Sequence, residues 1–503
     1  MSTELQTIQA VHEAVHEAVH DAESRQNNQT EEPAKLSPPQ TVLVVIQLLG
    51  LSLFSSFCNG VIVVGLPTIA ASLDIPDRLL LWPTSAFYLT AGSCLLIAGS
   101  VADVVGAKPV NLGGAFLSAV CAVACGLART GGEIIAFRAL QGVTNAIIVP
   151  SSIAIISTQV PQGPRRNLGF ACLGLAGPLG FSLGLVLGGV FVDGVGWRAA
   201  FYLAGAISFA LFLVGIWALP DARPCGSGER LLKEIDWTGA ILLSAGLAIL
   251  SYVLSALSGN TNNIHQPSNI ALLATSVVCI AAFVWWMQHQ VEHQRPALIP
   301  NALWRSSVFT SSCIMVFLTT AGTNCMELYS SLYFQNIQNS SALGASLRIL
   351  PSLIAGALTN VSTGVFVNRM PVLWVVLGSS AASAAAPLLM AVIHPDWPYW
   401  YDAFFAQLLA PLSCDILFTV GLLVISDVFP AHTQALGGAV FNTCAQLGTA
   451  IGLSITSVIT DAAAEPVSGY RAVFWTMTAW MGLVCLVCLL GLRRVGEIGV
   501  KRD

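Results

Sequence analysis

The chain has 503 residues, of which 55% are hydrophobic and only 9% charged, and its mean hydropathy is +0.74. Soluble proteins carry about 25% charged residues, so this composition excludes a water-soluble domain and places most side chains against lipid or each other. The net charge of −5 says little about partners, since seven of the 26 acidic residues (Glu4, Glu13, Glu17, Asp21, Glu23, Glu31, Glu32) precede position 38 and the remaining body is nearly neutral; no nucleic-acid partner is expected.

Residues 1–40 are polar and acidic, with too little apolar surface to bury a core, and read as a disordered cytoplasmic tail. A repeat from Val11 to Ala22 would align His12, His16 and His20 on one helical face at a spacing that could hold zinc. A solvated tail without metal is the favoured reading. No secretory signal opens the chain, so the first apolar run is the expected insertion signal.

Fourteen apolar runs long enough to cross a hydrocarbon core of about 30 Å follow. Six, at about 41–64, 79–101, 110–128, 132–157, 168–192 and 199–219, precede the basic loop from Pro220 to Ile235. Two lie at about 237–257 and 269–287. The last six lie at about 308–334, 342–367, 371–393, 401–425, 432–459 and 471–492. An even number puts both termini on one side. Fifteen Lys and Arg fall on that side and four on the other, with Arg138 and Arg348 within the membrane, which points to cytoplasmic termini.

Ionisable groups inside a bilayer cost about 2.5–3.5 kcal/mol on insertion scales, so each calls for a reason. Four fall well inside runs: Arg138, Glu327, Arg348 and Asp415. No histidine lies near mid-span, so a proton carrier has to be Glu327 or Asp415, with Arg348 as an available ion-pair partner. Asp415 follows Pro411 by four residues, in a helix that the proline leaves with an unpaired carbonyl. Asn59, Trp82, Tyr88 and Phe181, with Gln141, are candidates to line a cavity. The thirteen cysteines, including Cys485 and Cys488 of the one CxxC, read as buried packing residues rather than disulfides or metal ligands, and no cofactor site is apparent. The sequon at Asn339 falls in an expected outer loop and is a glycosylation candidate.

Several motifs carry a family resemblance. Gly99-Ser-Val-Ala-Asp103-Val-Val-Gly106-Ala-Lys108, a polar turn between two apolar runs, resembles the loop between the second and third helices of the major facilitator superfamily, and this implies a cytoplasmic gating loop of Gly99, Asp103, Gly106 and Lys108. Val104 and Ala107 stand where that family carries basic residues. Arg138 with Gln141 and Gly142 resembles the fourth-helix motif, implying an arginine that faces the central cavity and takes part in proton coupling by holding or discharging a carboxylate, since a guanidinium does not itself titrate. Gly177-Pro178 followed by Gly188-Gly189 resembles the antiporter motif of exporting members. Asp236-Trp237-Thr-Gly239 looks like the start of the extra helix pair of the 14-helix drug:proton antiporter-2 family. Cys58 and Val63 replace a polar pair usual in that family's first helix, which suggests its fungal aminotriazole-resistance and boron-export branch or a transporter with altered coupling.

The resemblance implies an all-α integral membrane protein of the major facilitator fold: an N-terminal six-helix bundle at 41–219, a linker and two additional helices at 220–307, a C-terminal six-helix bundle at 308–492 and a cytoplasmic tail at 493–503. The additional pair is expected outside the central cavity. No ATP-binding loop is present, so a gradient has to supply the energy. The expected function is export of small organic molecules by proton antiport. Import or export of a small polar solute or ion (borate- or ammonium-like), or a non-transporting sensor, are the alternatives. Protons, a small-molecule substrate and the bilayer are the expected partners of a monomer in the plasma membrane, with the vacuolar membrane as second choice. No enzyme activity is expected.

Overall fold

A computed structural model describes residues 38–160, 164–220, 235–258, 265–293, 295, 298–299, 301–366, 371–428, 431–463 and 465–493. The histidine repeat, most of the 220–235 loop and the last ten residues lie outside the described residues. Among those described, the chain is helical and has no strand. Without water to satisfy the backbone, helices answer the demand within one segment.

The first bundle comprises α1 (Pro38–Ser72), α2 (Trp82–Val105), α3 (Ala107–Leu127), α4 (Gly131–Gln159), α5 (Pro164–Gly194) and α6 (Trp197–Ala218). The additional pair is α7 (Trp237–Ser258) and α8 (Pro267–Glu292). The second bundle comprises α9 (Ser307–Asn336), α10 (Ala342–Phe366), α11 (Val372–Val392), the short α12 (Ala403–Leu409) continued by α13 (Leu412–Val428), α14 (Ala431–Asp461) and α15 (Pro466–Gly491). Thirteen segments among the described residues are long and apolar enough to span a membrane, with α12 and α13 counted together, and Trp237–Leu250 in α7 is a shorter apolar helix.

Local sequence sets the boundaries. Thr130 caps α4 by accepting from the Glu133 N–H, while the Glu133 carboxylate accepts from the Arg129 N–H, close to a capping box. Asp236 accepts from the Gly239 N–H at 2.9 Å to start α7, and the same oxygen accepts from the Trp286 indole, tying α7 to α8. The stretch expected as a polar loop from Gly99 to Lys108 is almost wholly helical. Only Gly106, at φ +107°, separates α2 from α3, and glycine tolerates that conformation because it lacks a Cβ. Gly99 lies inside α2, where a Cβ would make an ordinary 3.7 Å contact with Pro150, so crowding does not demand a glycine there.

The two bundles repeat one packing pattern. In the first, α1 packs on α5, α2 on α4 and α3 on α6; in the second, α9 packs on α14, α10 on α12 and α13, and α11 on α15. They meet where α2 crosses α14 and α5 crosses α10. Small residues permit the closest approaches: a Cβ on Gly180 or Gly184 would lie 2.1 Å from the carbonyl oxygen of Leu53 or Phe57 on α1, and one on Gly448 would lie 2.1 Å from that of Phe317 on α9. Apolar side chains such as Trp217, Leu358 and Leu490 face outward, where lipid would cover them.

At the end where α1 finishes, the bundles are tied together. Ser331 donates to the Val63 carbonyl at 3.1 Å, Gln335 to that of Val64 at 3.0 Å, and Ser346 to that of Leu185 at 2.8 Å. Asp193 on α5 accepts from the Leu343 N–H at 3.0 Å, capping α10 of the other bundle. The additional pair sits at the α2–α14 seam: Ser244 of α7 donates to the Ser93 carbonyl, and Leu243 and Leu247 pack with Leu89, Leu447 and Ala450.

Candidate transport cavity

Between the bundles lies a cavity of about 240 Å³. The first bundle lines it with Ser56 and Asn59 (α1), Phe87 and Tyr88 (α2), Asn145 (α4) and Gly177, Pro178 and Phe181 (α5). The second contributes Thr323, Asn324 and Glu327 (α9), Ser352, Leu353 and Gly356 (α10), Pro411, Cys414 and Asp415 at and after the α12–α13 break, and Gln446 (α14). No described residue of α7 or α8 lines it. Of the cavity residues expected from sequence, Asn59, Tyr88 and Phe181 are present. Trp82 is not: its ring packs edge-on against Tyr252 of α7 at 6.4 Å, at the seam with the additional pair.

The break in the twelfth run aims Asp415. Pro411 offers no N–H, so the helix stops at Leu409 and restarts at Leu412. Ser383 takes up the Ala410 carbonyl at 2.7 Å, and Ser380 and Ser413 pair at 3.0 Å, holding the broken backbone against α11. Asp415 lies one turn later, over Gly356 of α10, where an added Cβ would be 2.6 Å from its Oδ2. Glu327 reaches the same cavity from α9. Asp415 has the side chain of Asn360 on α10 as a hydrogen-bonding neighbour, and no ion pair to either carboxylate is found among the described residues.

Arg138 is fully buried and held by neutral acceptors. Its Nε donates to the Pro83 carbonyl at 3.0 Å, Nη1 to Gln141 Oε1 at 2.7 Å and Nη2 to Asn59 Oδ1, while the guanidinium lies 4.5 Å from the centre of the Phe87 ring. Among the described residues it forms no ion pair with a carboxylate, and it stands behind Asn59 and Phe87 rather than in the cavity lining. Gly142 lets α4 press against α2, since a Cβ there would meet the Phe87 carbonyl at 2.2 Å. Arg348 is not brought to either acid. It donates to Gln338 Oε1 at 2.6 Å, lies over Phe334, and its carbonyl accepts from the Tyr399 hydroxyl. The physical reason is register: Arg348 is eight residues before Gly356 on α10, about 12 Å along the axis, so its long side chain serves the helix end instead.

The glycine motif of α5 divides its work. Gly177 and Pro178 line the cavity, Gly188 packs on Val61 of α1, and a Cβ on Gly189 would lie 2.8 Å from the Leu343 Cα of α10 in the tied end. Gly106 is the α2–α3 corner and Lys108 opens α3; the Asp103 side chain lies outside the described residues. Asn339 is exposed between α9 and α10.

Much of the lining escapes a reading of the sequence, Asn145, Asn324 and Gly356 among it. Tyr88 donates to Asn324 Oδ1 at 3.1 Å, a hydrogen bond from one bundle to the other, and Asn324 donates onward to the Thr320 carbonyl and Thr449. Asn145, which accepts from the Ser55 hydroxyl, and Gly356 are further wall residues of this kind. A polar residue three before Glu327 on one helix face is a signal that could have flagged Asn324; nothing comparable marks Gly356, whose neighbour is on another helix.

A family model described as Major Facilitator Superfamily matches residues 48–406 and 350–502. Among curated relatives, MFS-type transporter 1 of Pyricularia oryzae is 37% identical, covering 92% of this chain and 85% of its own. The low affinity ammonium transporter of Saccharomyces cerevisiae is 27% identical (80% and 78% covered), and the aminotriazole resistance protein of the same yeast is 23% identical (81% and 75% covered). With the paired six-helix pattern, the central cavity and a family match over nearly all of the membrane region, the chain belongs to the Major Facilitator Superfamily, whose members are multi-pass membrane transporters.

Proposed function

We propose that this protein exports small organic molecules by proton antiport across the plasma membrane, with both termini in the cytoplasm. The observation that carries the reading is the pair of membrane-embedded carboxylates, Glu327 and Asp415, facing one cavity with no cationic partner among the described residues. Intramembrane acids of this kind are retained for a proton or ligand pathway. With Arg138 satisfied by neutral groups, its proposed part is to fix the walls of the cavity and bias its potential, and the proton is carried in the second bundle. The tied end where α1 finishes would face outward, so the cavity loads from the cytoplasm, and rocking of the bundles would break the Tyr88–Asn324 link and the Asp193 cap.

The test is efflux from preloaded cells or vesicles under an imposed proton gradient. Glu327→Gln or Asp415→Asn abolishes gradient-driven efflux at whichever site carries the proton and leaves gradient-independent exchange, because the amides keep shape but cannot cycle charge. Gradient-sensitive pumping by the double amide variant at wild-type rate would overturn the assignment. A second reading, movement of a small ion such as ammonium, is favoured by the 27% identical yeast relative with that named substrate; it is separated by whether ammonium competes for the exported compound.

A further inference from the structure

We propose that Asp402 is a separate proton-binding site at the tied end, and that it passes protons to the cavity acids through the interior of the second bundle, by way of Gln407, Ser383 and Thr323, rather than through the substrate cavity. The passing-on step rests on the antiport reading above; the site itself rests on geometry.

Asp402 is 4% exposed and stands at the start of α12 without capping it, and neither carboxylate oxygen has a hydrogen-bond partner among the described residues. Its chain neighbour Tyr401 is 73% exposed, so the carboxylate is dry yet close to the aqueous edge. Other orphaned polar atoms lie near it. Gln407 donates to Ser330 Oγ of α9 at 3.0 Å and leaves its own Oε1 unpartnered. Tyr333, three residues beyond Ser330, is 1% exposed and its hydroxyl has no partner among the described residues. Because α9 and α12 run in opposite directions, the Gln407–Ser330 bond sets Tyr333 near the level of Asp402, and the two are electrostatic neighbours. With Asp402 ionised, its two oxygens and Gln407 Oε1 are acceptors and the Tyr333 hydroxyl is a lone donor. A proton on Asp402 adds a donor and removes a buried charge. Burial pushes its carboxyl up to about 6, so both forms are within reach near neutral pH.

The other charged or titratable groups at this end do not replace that proton. Arg348 of α10 donates to Gln338, and His394 lies 3.4 Å from Asp396 in the loop before α12. Arg471 of α15 donates to the Ile393 carbonyl, the Tyr399 hydroxyl to the Arg348 carbonyl, and the Tyr470 hydroxyl accepts from Asn336. The α11 sequence carries no titratable residue.

A route inward is present on the far side of α9 from the substrate. Thr323, Met326, Ser330 and Tyr333 recur every three or four residues and form one stripe of α9. On that stripe lies a second cavity of about 10 Å³, near the size of one water, lined by Thr323 and Met326 with Ser383 of α11, Ala410 and Met477 of α15. Ser383 holds the Ala410 carbonyl at 2.7 Å, and Gln407 is three residues from Ala410, about 4.5 Å along the axis. Thr323 lines both cavities and precedes Glu327 by one turn. Polar groups thus descend about one turn at a time from Asp402 to the acids, spans that a bridging water can cover. Asp402 gains an O–H from outside water and gives the proton up inward; nothing is oxidised or reduced.

Infrared difference spectroscopy on the purified full-length protein in lipid vesicles, stepped between pH 4 and pH 7, reads the site without any ligand. A protonated-carboxyl band that is lost at pH 7 is expected in wild type and in the double variant Glu327→Gln, Asp415→Asn. It should be absent from Asp402→Asn, restored in Asp402→Glu and shifted in frequency by Tyr333→Phe. The second arm follows ethidium in preloaded vesicles with an acid exterior. Asp402→Asn and Gln407→Met each slow gradient-driven ethidium efflux by at least about tenfold, Asp402→Glu recovers it, and ethidium exchange without a gradient stays at the wild-type rate, which also reports a folded protein. A carboxyl band unchanged in Asp402→Asn, or gradient-driven efflux at the wild-type rate in that variant, overturns the proposal. Ethidium exchange in wild type that ignores the gradient, with the Asp402 band present, would instead remove the antiport reading and leave Asp402 standing as a proton-binding site.

Discussion

Arg138→Lys separates a strut from a coupling residue. The fourth-helix motif alone points to an arginine that trades charge with a carboxylate, whose conservative replacement would impair transport before folding. The geometry predicts the reverse order. The guanidinium joins three acceptors, the Pro83 carbonyl, Gln141 Oε1 and Asn59 Oδ1, and covers the Phe87 ring in a fully buried setting. A lysine keeps the charge but is a point donor without the planar fork. If its ammonium retains one acceptor, two buried acceptors lose their partner, at about 1–3 kcal/mol each. The loss of about 2–6 kcal/mol is a large part of the about 5–15 kcal/mol that separates folded from unfolded domains. Thermal unfolding of the detergent-solubilised protein, followed by size-exclusion fluorescence, should therefore show a markedly lower midpoint, while the fraction that stays folded binds substrate with near wild-type affinity. A variant that melts like wild type yet no longer couples efflux to protons would refute the reasoning and return Arg138 to the coupling machinery.

Gly184→Ala places a methyl 2.1 Å from the Phe57 carbonyl, a backbone contact that can be relieved only by moving α1 from α5, so folded yield should fall; Gly174→Ala, which meets nothing within 4 Å, is the matched control and should be neutral. Asp402, just before α12, is buried with both carboxylate oxygens unpartnered, and burial pushes its carboxyl up to about 6. Its raised folded-state value means that stability present at pH 4 is lost as pH rises through about 6. Asp402→Asn should thus raise the melting midpoint at pH 7 and leave it unchanged at pH 4; equal shifts at both would count against this. Asn339→Gln should remove one endoglycosidase-sensitive mobility shift from protein expressed in a eukaryotic secretory membrane, and a wild-type protein without any shift would dismiss the glycosylation reading.

The helices were legible because the bilayer's demand is one-dimensional: a run of about twenty apolar residues is required whatever packs beside it. The same logic exposes Glu327, Asp415 and Arg138 as costly intramembrane groups, and the glycine and proline punctuation of α5 marks a close crossing. Boundaries were less legible where polarity and helicity part company, as at Gly99–Val105, which is polar enough to resemble a loop yet stays helical up to the single corner at Gly106. Which charges meet was not written in the chain. Arg348 and Asp415 are both intramembrane by sequence, but helix register puts the arginine on Gln338 at one end and the acid over Gly356 nearer the middle. Trp82 and Phe181 are both aromatic residues within or beside apolar runs; only the docking of α7 at the seam turns Trp82 away from the cavity. Sequence determines the elements because insertion into lipid acts on each segment separately, whereas partners are decided by the rotation and offset of helices far apart in the chain, which exist only once the two bundles have packed.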